Sequence, residues 1–242
     1  MSAPSRHIVA VGGAALVRDE RDRLRPGPLV RWLLALTGRR SPRVCLIHTA
    51  GGDDPAGYLE VGDAFREAGG RVTQLPLFPM PATPDPRSHL LAQHLVWVGG
   101  GSVANLLAVW RVHGLDRALR EAWERGVVLA GVSAGGLCWF QGGTTDSFGP
   151  ALRPFTDGLG LLPASHCPHY DTEPRRRPLY QALVAAGTLG PGWAADDGVA
   201  LHFTGTELRD VVGVRDGAQA YRVEPGPNGT AREHPLAPRQ LV

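Results

Sequence analysis

Residues 129–138 read Leu129-Ala130-Gly131-Val132-Ser133-Ala134-Gly135-Gly136-Leu137-Cys138. An apolar run enters a Gly-x-Ser-x-Gly turn and leaves it in a segment of helical character. This is the pattern of a nucleophile elbow, in which small neighbours let a strand turn sharply into a helix and lift a serine hydroxyl out of the sheet. A glycine-rich turn with a capping serine is written in the same letters, so the surrounding elements decide between the two. Those elements alternate. Short, almost wholly apolar runs at 7–11, 43–48, 71–75, 94–98 and 127–132 predict buried parallel strands. Helical patterns lie between them at 29–37, 58–68 and 103–125, the last broken at Gly114. The repetition predicts an α/β fold, a doubly wound, mostly parallel sheet with helices on both faces and right-handed crossovers. In such sheets ligands bind beyond the carboxyl ends of the strands, which selects the loops to read.

One of those loops is Gly99-Gly100-Gly101-Ser102, between a strand and a helix. Three glycines let an anion approach the backbone closely, although Ser102 as a helix N-cap is the simpler use of the same residues. A serine nucleophile needs a base, and Ser165-His166-Cys167-Pro168-His169-Tyr170-Asp171 offers two histidines. Their spacing admits a metal site, but Pro168 opposes a helix there and no second ligand pair follows. His48, at a strand end, is a rival base. A carboxylate to orient the histidine could come from Asp146, Asp171 or the Asp196-Asp197-Gly198 stretch, each of which suits a turn equally well. Spacing alone does not choose among them.

Composition narrows the classes further. The chain has 242 residues, 43% of them hydrophobic, enough to bury a full core and to exclude intrinsic disorder. Its 25 basic residues are all arginine and are scattered among 23 acids, which is no nucleic-acid footprint. No run approaches the roughly 18 apolar residues of a membrane span, and residues 1–7 show no secretory apolar segment. The expected location is the cytoplasm. The three cysteines, Cys45, Cys138 and Cys167, have neither paired nor zinc spacing and are expected to be reduced. The expected organisation is a single domain over 1–225 with a polar C-terminal tail over 226–242. Residues after 146 read as loop-rich, followed by a helix at 179–186 and strands at 199–203, 211–214 and 220–223.

Taken in order, Gly99-Gly100-Gly101-Ser102, Gly131-Val132-Ser133-Ala134-Gly135, Cys167-Pro168-His169-Tyr170 and Asp196-Asp197-Gly198 resemble the serine peptidases of the aspartyl dipeptidase (peptidase E) and cyanophycinase family. The resemblance runs from about residue 95 to residue 204 and more loosely back to the first strand. It implies a glutamine amidotransferase-like fold with serine in place of the amidotransferases' cysteine. It implies Ser133 as nucleophile, His169 as base, and the amides of Gly101 and Ala134 as donors to the oxyanion. The family's acid, commonly Glu before a glycine, falls on Asp197, with Asp146 as a supporting or alternative member. Ser102 stands where dipeptidase members tend to have asparagine. Arg175 or Arg176 falls near the position of an arginine that binds an acidic side chain, and a guanidinium fork suits that contact.

The activity so implied is a serine exopeptidase of short peptides, dipeptides with an N-terminal Asp above all. No metal or organic cofactor is expected, and no nucleic-acid or membrane partner. The expected state is a monomer or homodimer. The rivals are a catalytically inactive amidotransferase-like binding module and an esterase of the α/β-hydrolase type.

Overall fold

The computed structural model describes residues 5–14 and 16–242. Its first half runs β1 (His7–Val11), β2 (Val17–Arg18), β3 (Leu24–Arg25), α1 (Pro28–Leu36), β4 (Arg43–Ile47), α2 (Pro55–Glu67), β5 (Arg71–Gln74), α3 (Pro86–Leu91), β6 (Leu95–Val98), α4 (Val103–His113), α5 (Leu115–Glu124) and β7 (Val128–Val132). The second half runs α6 (Ala134–Leu137), β8 (Phe140–Thr145), β9 (Arg153–Phe155), β10 (Leu162–Cys167), α7 (Arg176–Ala185), β11 (Gly192–Ala195), β12 (Val199–Thr204), β13 (Glu207–Gly213), β14 (Ala220–Pro225), β15 (Ala231–Leu236) and β16 (Arg239–Gln240). Local chemistry sets several boundaries. Pro55 opens α2 behind Asp54, whose side chain caps the Gly57 amide at 3.0 Å. Gly114, at φ 70°, ends α4 in the left-handed conformation and starts α5, the predicted break.

Eight strands form one sheet in the order β16-β13-β12-β1-β7-β6-β4-β5. The pairs from β1 through β7, β6 and β4 to β5 are parallel, and β12 joins β1 antiparallel. Alternate side chains of these strands serve two cores. Ile8, Cys45, Ile47 and Val96 pack with Leu106, Trp110 and Leu119 of α4 and α5. Val9, Val44, Leu46 and Trp97 pack with Leu33, Tyr58 and Phe65 of α1 and α2. Because both faces are covered, β1, β4, β6 and β7 are apolar along nearly all their length, whereas β5, at the sheet edge, is Arg71-Val72-Thr73-Gln74 and mostly exposed, more polar than the sequence reading expected of 71–75.

The second half departs from the sequence reading in three places. The helix after the elbow, α6, is four residues long, and the chain returns at once as β8. The region read as loop-rich supplies β9 and β10 to a six-stranded sheet, order β15-β14-β11-β10-β8-β9. Residues 226–242 are not a tail. β15 pairs with β14 from Ala220↔Leu236 to Pro225↔Ala231, and β16 pairs with β13. β15 is an edge strand whose polar side chains alternate towards solvent, so its composition is that of a tail while its backbone is ordered by pairing. Among the described residues, no helix is long and apolar enough to cross a membrane.

Candidate active site

β7 ends beside β1 and β6, and its exit is sharp. Ser133 sits at φ 54°, ψ −117°, a conformation that L residues rarely adopt. Its amide is held by the Val11 carbonyl at 3.0 Å, and its own carbonyl accepts from Leu137 at 2.8 Å. The two glycines of the motif make this passage possible. A Cβ on Gly131 would lie 2.2 Å from the Gly135 carbonyl oxygen, and one on Gly135 would lie 2.3 Å from that of Val98.

His169 follows β10 and takes φ 53°. Its Nε2 lies 2.9 Å from Ser133 Oγ, and its Nδ1 lies 2.7 Å from Asp197 Oδ1, in the turn after β11. A carboxylate only accepts, so Nδ1 carries the hydrogen and Nε2 is free to accept from the serine hydroxyl. The histidine and aspartate side chains keep only 21% and 14% of their exposure. Both rest on Gly13, the residue that follows β1 and its glycine neighbour. A Cβ there would lie 2.4 Å from the imidazole and 2.0 Å from Asp197 Oδ1.

Asp197 is itself gripped. Thr172 Oγ1 donates to its Oδ2 at 3.0 Å, Asp171 Oδ1 accepts its amide at 2.9 Å, and Arg215 Nε donates to its carbonyl at 2.9 Å. Arg215 also pairs with Asp171, closing a ring around the turn. Asp171, weighed in the sequence as the orienting acid, thus holds the backbone of Asp197 rather than His169. Thr172 and Arg215 carried no sequence motif. They are found only because the β10, β11 and β13 ends converge.

The remaining sequence candidates lie as follows. Asp146 is exposed after β8 and makes no hydrogen bond to His169 among the described residues; the neighbouring Ser147 hydroxyl accepts the Val103 amide at 2.9 Å. Ser102 is the N-cap of α4, its Oγ accepting from Asn105 at 3.2 Å. The amides of Gly101 and Ala134 have no partner among the described residues, and Gly100 passes within reach of the Ser133 side chain, 3.4 Å from its Cβ by a Cβ placed on the glycine. Arg176 is buried and committed, to Glu173 Oε2 at 2.7 Å and the Thr144 carbonyl at 3.0 Å. Arg175 is exposed and donates to the Pro150 carbonyl. His166 turns away, its Nδ1 on the Trp193 carbonyl, and full burial pushes its pKa down to about 3. The three thiols are free and buried, and burial pushes Cys45 and Cys167 up to about 12, which leaves them poor nucleophiles near neutrality.

The turn after β10 is also braced from the chain's C-terminal part. Tyr170, next to His169, donates to Glu233 of β15, and Glu233 is paired with Arg177, whose guanidinium lies over Tyr170 and Tyr221. A hydroxyl facing an imidazole and carboxylate in line can be deprotonated as it attacks a carbonyl carbon.

Similar proteins bear on which carbonyl. The chain is 43% identical over 218 residues to a Bacillus subtilis (strain 168) protein, the peptidase YgaJ, covering 90% of this chain and 92% of that one. The fold resembles that of a peptidase from an acI-B1 Actinobacterium, with a TM-score of 0.72 at 18% identity over 100% of this chain and 98% of the other. It also resembles a Listeria monocytogenes EGD-e protein named for peptidase E, with a TM-score of 0.62 at 18% identity over 87% of this chain and 100% of the other. The family description that matches residues 11–211, from the last residue of β1 through most of β13, is peptidase family S51. With the elbow, the glycine loop and the imidazole all inside that span, the chain belongs to peptidase family S51 and is a serine-type peptidase.

Proposed function

We propose that the protein is a serine exopeptidase of short peptides in which Ser133 attacks the scissile carbonyl, His169 takes its proton and returns it to the leaving amine, and Asp197 orients the imidazole. The observation that carries this reading is the continuous line Ser133 Oγ, His169 Nε2, His169 Nδ1, Asp197 Oδ1, with spacings of 2.9 and 2.7 Å. The free amides of Gly101 and Ala134 are the donors that would receive the oxyanion, and losing one such donor typically costs ~10²-fold or more in turnover. The order serine, histidine, acid along the chain also differs from the α/β-hydrolase order, in which the acid precedes the histidine.

The preference for an N-terminal Asp has narrower support. Arg176 is committed to Glu173 and Thr144, so of the expected pair only Arg175 keeps an exposed guanidinium. The substrate class therefore rests on the family and the Ser133–His169–Asp197 line, and an acidic preference would rest on Arg175 alone. Release of amino acids from Asp-Leu, Leu-Leu, Ala-Leu and Arg-Leu, with Ser133→Ala as control, tests the reading. Hydrolysis by Ser133→Ala at the parent rate removes Ser133 from the mechanism. A phosphonate that fails to label Ser133 in folded protein favours the inactive binding module.

A further inference from the structure

A cavity of about 340 Å³ opens at the elbow, lined by Val132, which precedes Ser133, and by Gly100, where a placed Cβ lies 3.4 Å from the Ser133 Cβ. Its walls are Leu16, Val61, Trp97 and Val132, its floor is Gly99 and Gly100, and its polar groups are His48 and Asp54. We propose that this cavity receives the side chain of the residue whose carbonyl Ser133 attacks, and that it selects an uncharged, largely apolar side chain. The inference rests on the peptidase reading above and concerns its specificity.

Position gives the first argument. In the sheet, β7 lies between β1 and β6, with β4 next beyond β6. His169 reaches Ser133 over Gly13, on the β1 side, while most of the cavity lining comes from the other side, from Gly99 and Gly100 after β6, His48 after β4 and Val61 of α2, with Leu16 closing it from the loop after β1. The imidazole must hand its proton to the leaving amine, so the leaving residue lies on the His169 side. The acyl residue is then directed to the opposite side, over the glycine loop and into the cavity.

The lining gives the second. A cavity of this size is at the small end of ligand sites and suits one side chain. Among the described residues no arginine lines it, and its one formal charge is the Asp54 carboxylate, which repels an acidic side chain. His48 is 8% exposed, is stacked on Tyr58 at 4.4 Å, and has a buried Nε2 with no partner among the described residues. Burial holds its pKa below the usual value, so the ring is neutral near pH 7 and offers no counter-charge.

The room is deliberately kept. Tyr58 OH donates to Asp53 Oδ1 at 2.9 Å and accepts the His48 amide at 3.2 Å, which fixes the imidazole wall. Asp53 Oδ2 in turn accepts the Phe78 amide at 3.0 Å. A Cβ on Gly99 would lie 3.0 Å from His48 Cδ2, so a side chain there would crowd the ring that lines the cavity.

The test is kcat/KM for Phe-Leu, Leu-Leu, Ala-Leu and Asp-Leu with the parent protein and with Val61→Phe, which fills the cavity from α2. We expect Phe-Leu and Leu-Leu to exceed Asp-Leu by roughly tenfold or more, and Val61→Phe to lower the Phe-Leu to Ala-Leu ratio by roughly tenfold or more. Phosphonate labelling of Ser133 should persist in the variant. Val61→Leu, adding one methylene, is measured beside it and should move the same ratio in the same direction if the larger side chain impairs folding. Ser133-dependent cleavage with Asp-Leu preferred overturns the inference and leaves the peptidase reading standing. So does a Phe-Leu to Ala-Leu ratio that neither variant moves. Failure of folded parent protein to cleave any of the four overturns the peptidase reading and the inference with it.

Discussion

Thr172 donates its hydroxyl to Asp197 Oδ2 at 3.0 Å, while Oδ1 of the same carboxylate faces His169 Nδ1 at 2.7 Å. The two contacts fix the carboxylate plane, and through it the imidazole. Thr172→Val keeps the shape and removes the donor. A hydrogen bond to a charged group is worth about 1.5–3 kcal/mol, less at an exposed site such as this one. We expect kcat to fall by roughly threefold to tenfold with KM little changed, and Thr172→Ser to restore most of it. Steady-state kinetics on a cleaved dipeptide check this.

The two candidate acids separate cleanly. Asp197→Asn removes the negative charge and puts an NH2 donor where both oxygens accept, which favours the wrong tautomer of His169, so kcat should fall by roughly 10³-fold or more. Asp146 is exposed and bonds neither His169 nor Ser133, so Asp146→Asn should stay within about twofold of the parent. Equal losses in the two variants would falsify the assignment of the orienting role to Asp197.

Ser133 holds a backbone conformation at φ 54°, ψ −117° that glycine adopts at little cost. Ser133→Gly should therefore abolish hydrolysis while raising stability by about 1 kcal/mol. Urea unfolding of the two proteins measures it, and a less stable variant would mean the elbow is unstrained.

Arg176 is buried and bonded to Glu173 and to the Thr144 carbonyl. Arg176→Ala leaves the carbonyl without its donor, and with Glu173 partly exposed we expect a loss of about 2 kcal/mol. The ratio of Asp-Leu to Ala-Leu cleavage should not change. A selective loss of Asp-Leu turnover would return Arg176 to substrate binding.

Stability should depend on pH through buried histidines. Burial lowers His202 to about 4 and His166 to about 3, against 6.5 for both when unburied. Between those values and pH 6.5 the unfolded chain binds more protons than the folded one, so their contribution is complete above pH 6.5 and is lost as pH falls towards 4 and 3. Each proton contributes a slope of about 1.4 kcal/mol per pH unit. Unfolding free energies measured from pH 7 to 4.5 should show the decline, and His202→Gln should flatten it by about one proton's worth.

The sequence by itself determined the parallel half of the fold and the chemistry at its strand ends. Strands buried on both faces are apolar nearly throughout, so β1, β4, β6 and β7 are written in consecutive letters, as is the elbow, where Gly131 answers a contact only four residues away. The break at Gly114 is equally local. The tertiary structure decided what depends on elements distant in sequence. Spacing could not choose among Asp146, Asp171 and the Asp196-Asp197 pair, because the choice depends on how the ends of β10, β11 and β13 meet. Arg176 looked like Arg175 until burial committed it to Glu173 and Thr144. Residues 226–242 carry a polar composition suited to a tail, yet backbone pairing with β14 and β13 orders them and places Glu233 behind the turn that carries His169. A hydrogen-bonded strand edge has no signature in side-chain polarity, and a partner chosen across 60 residues has none in spacing.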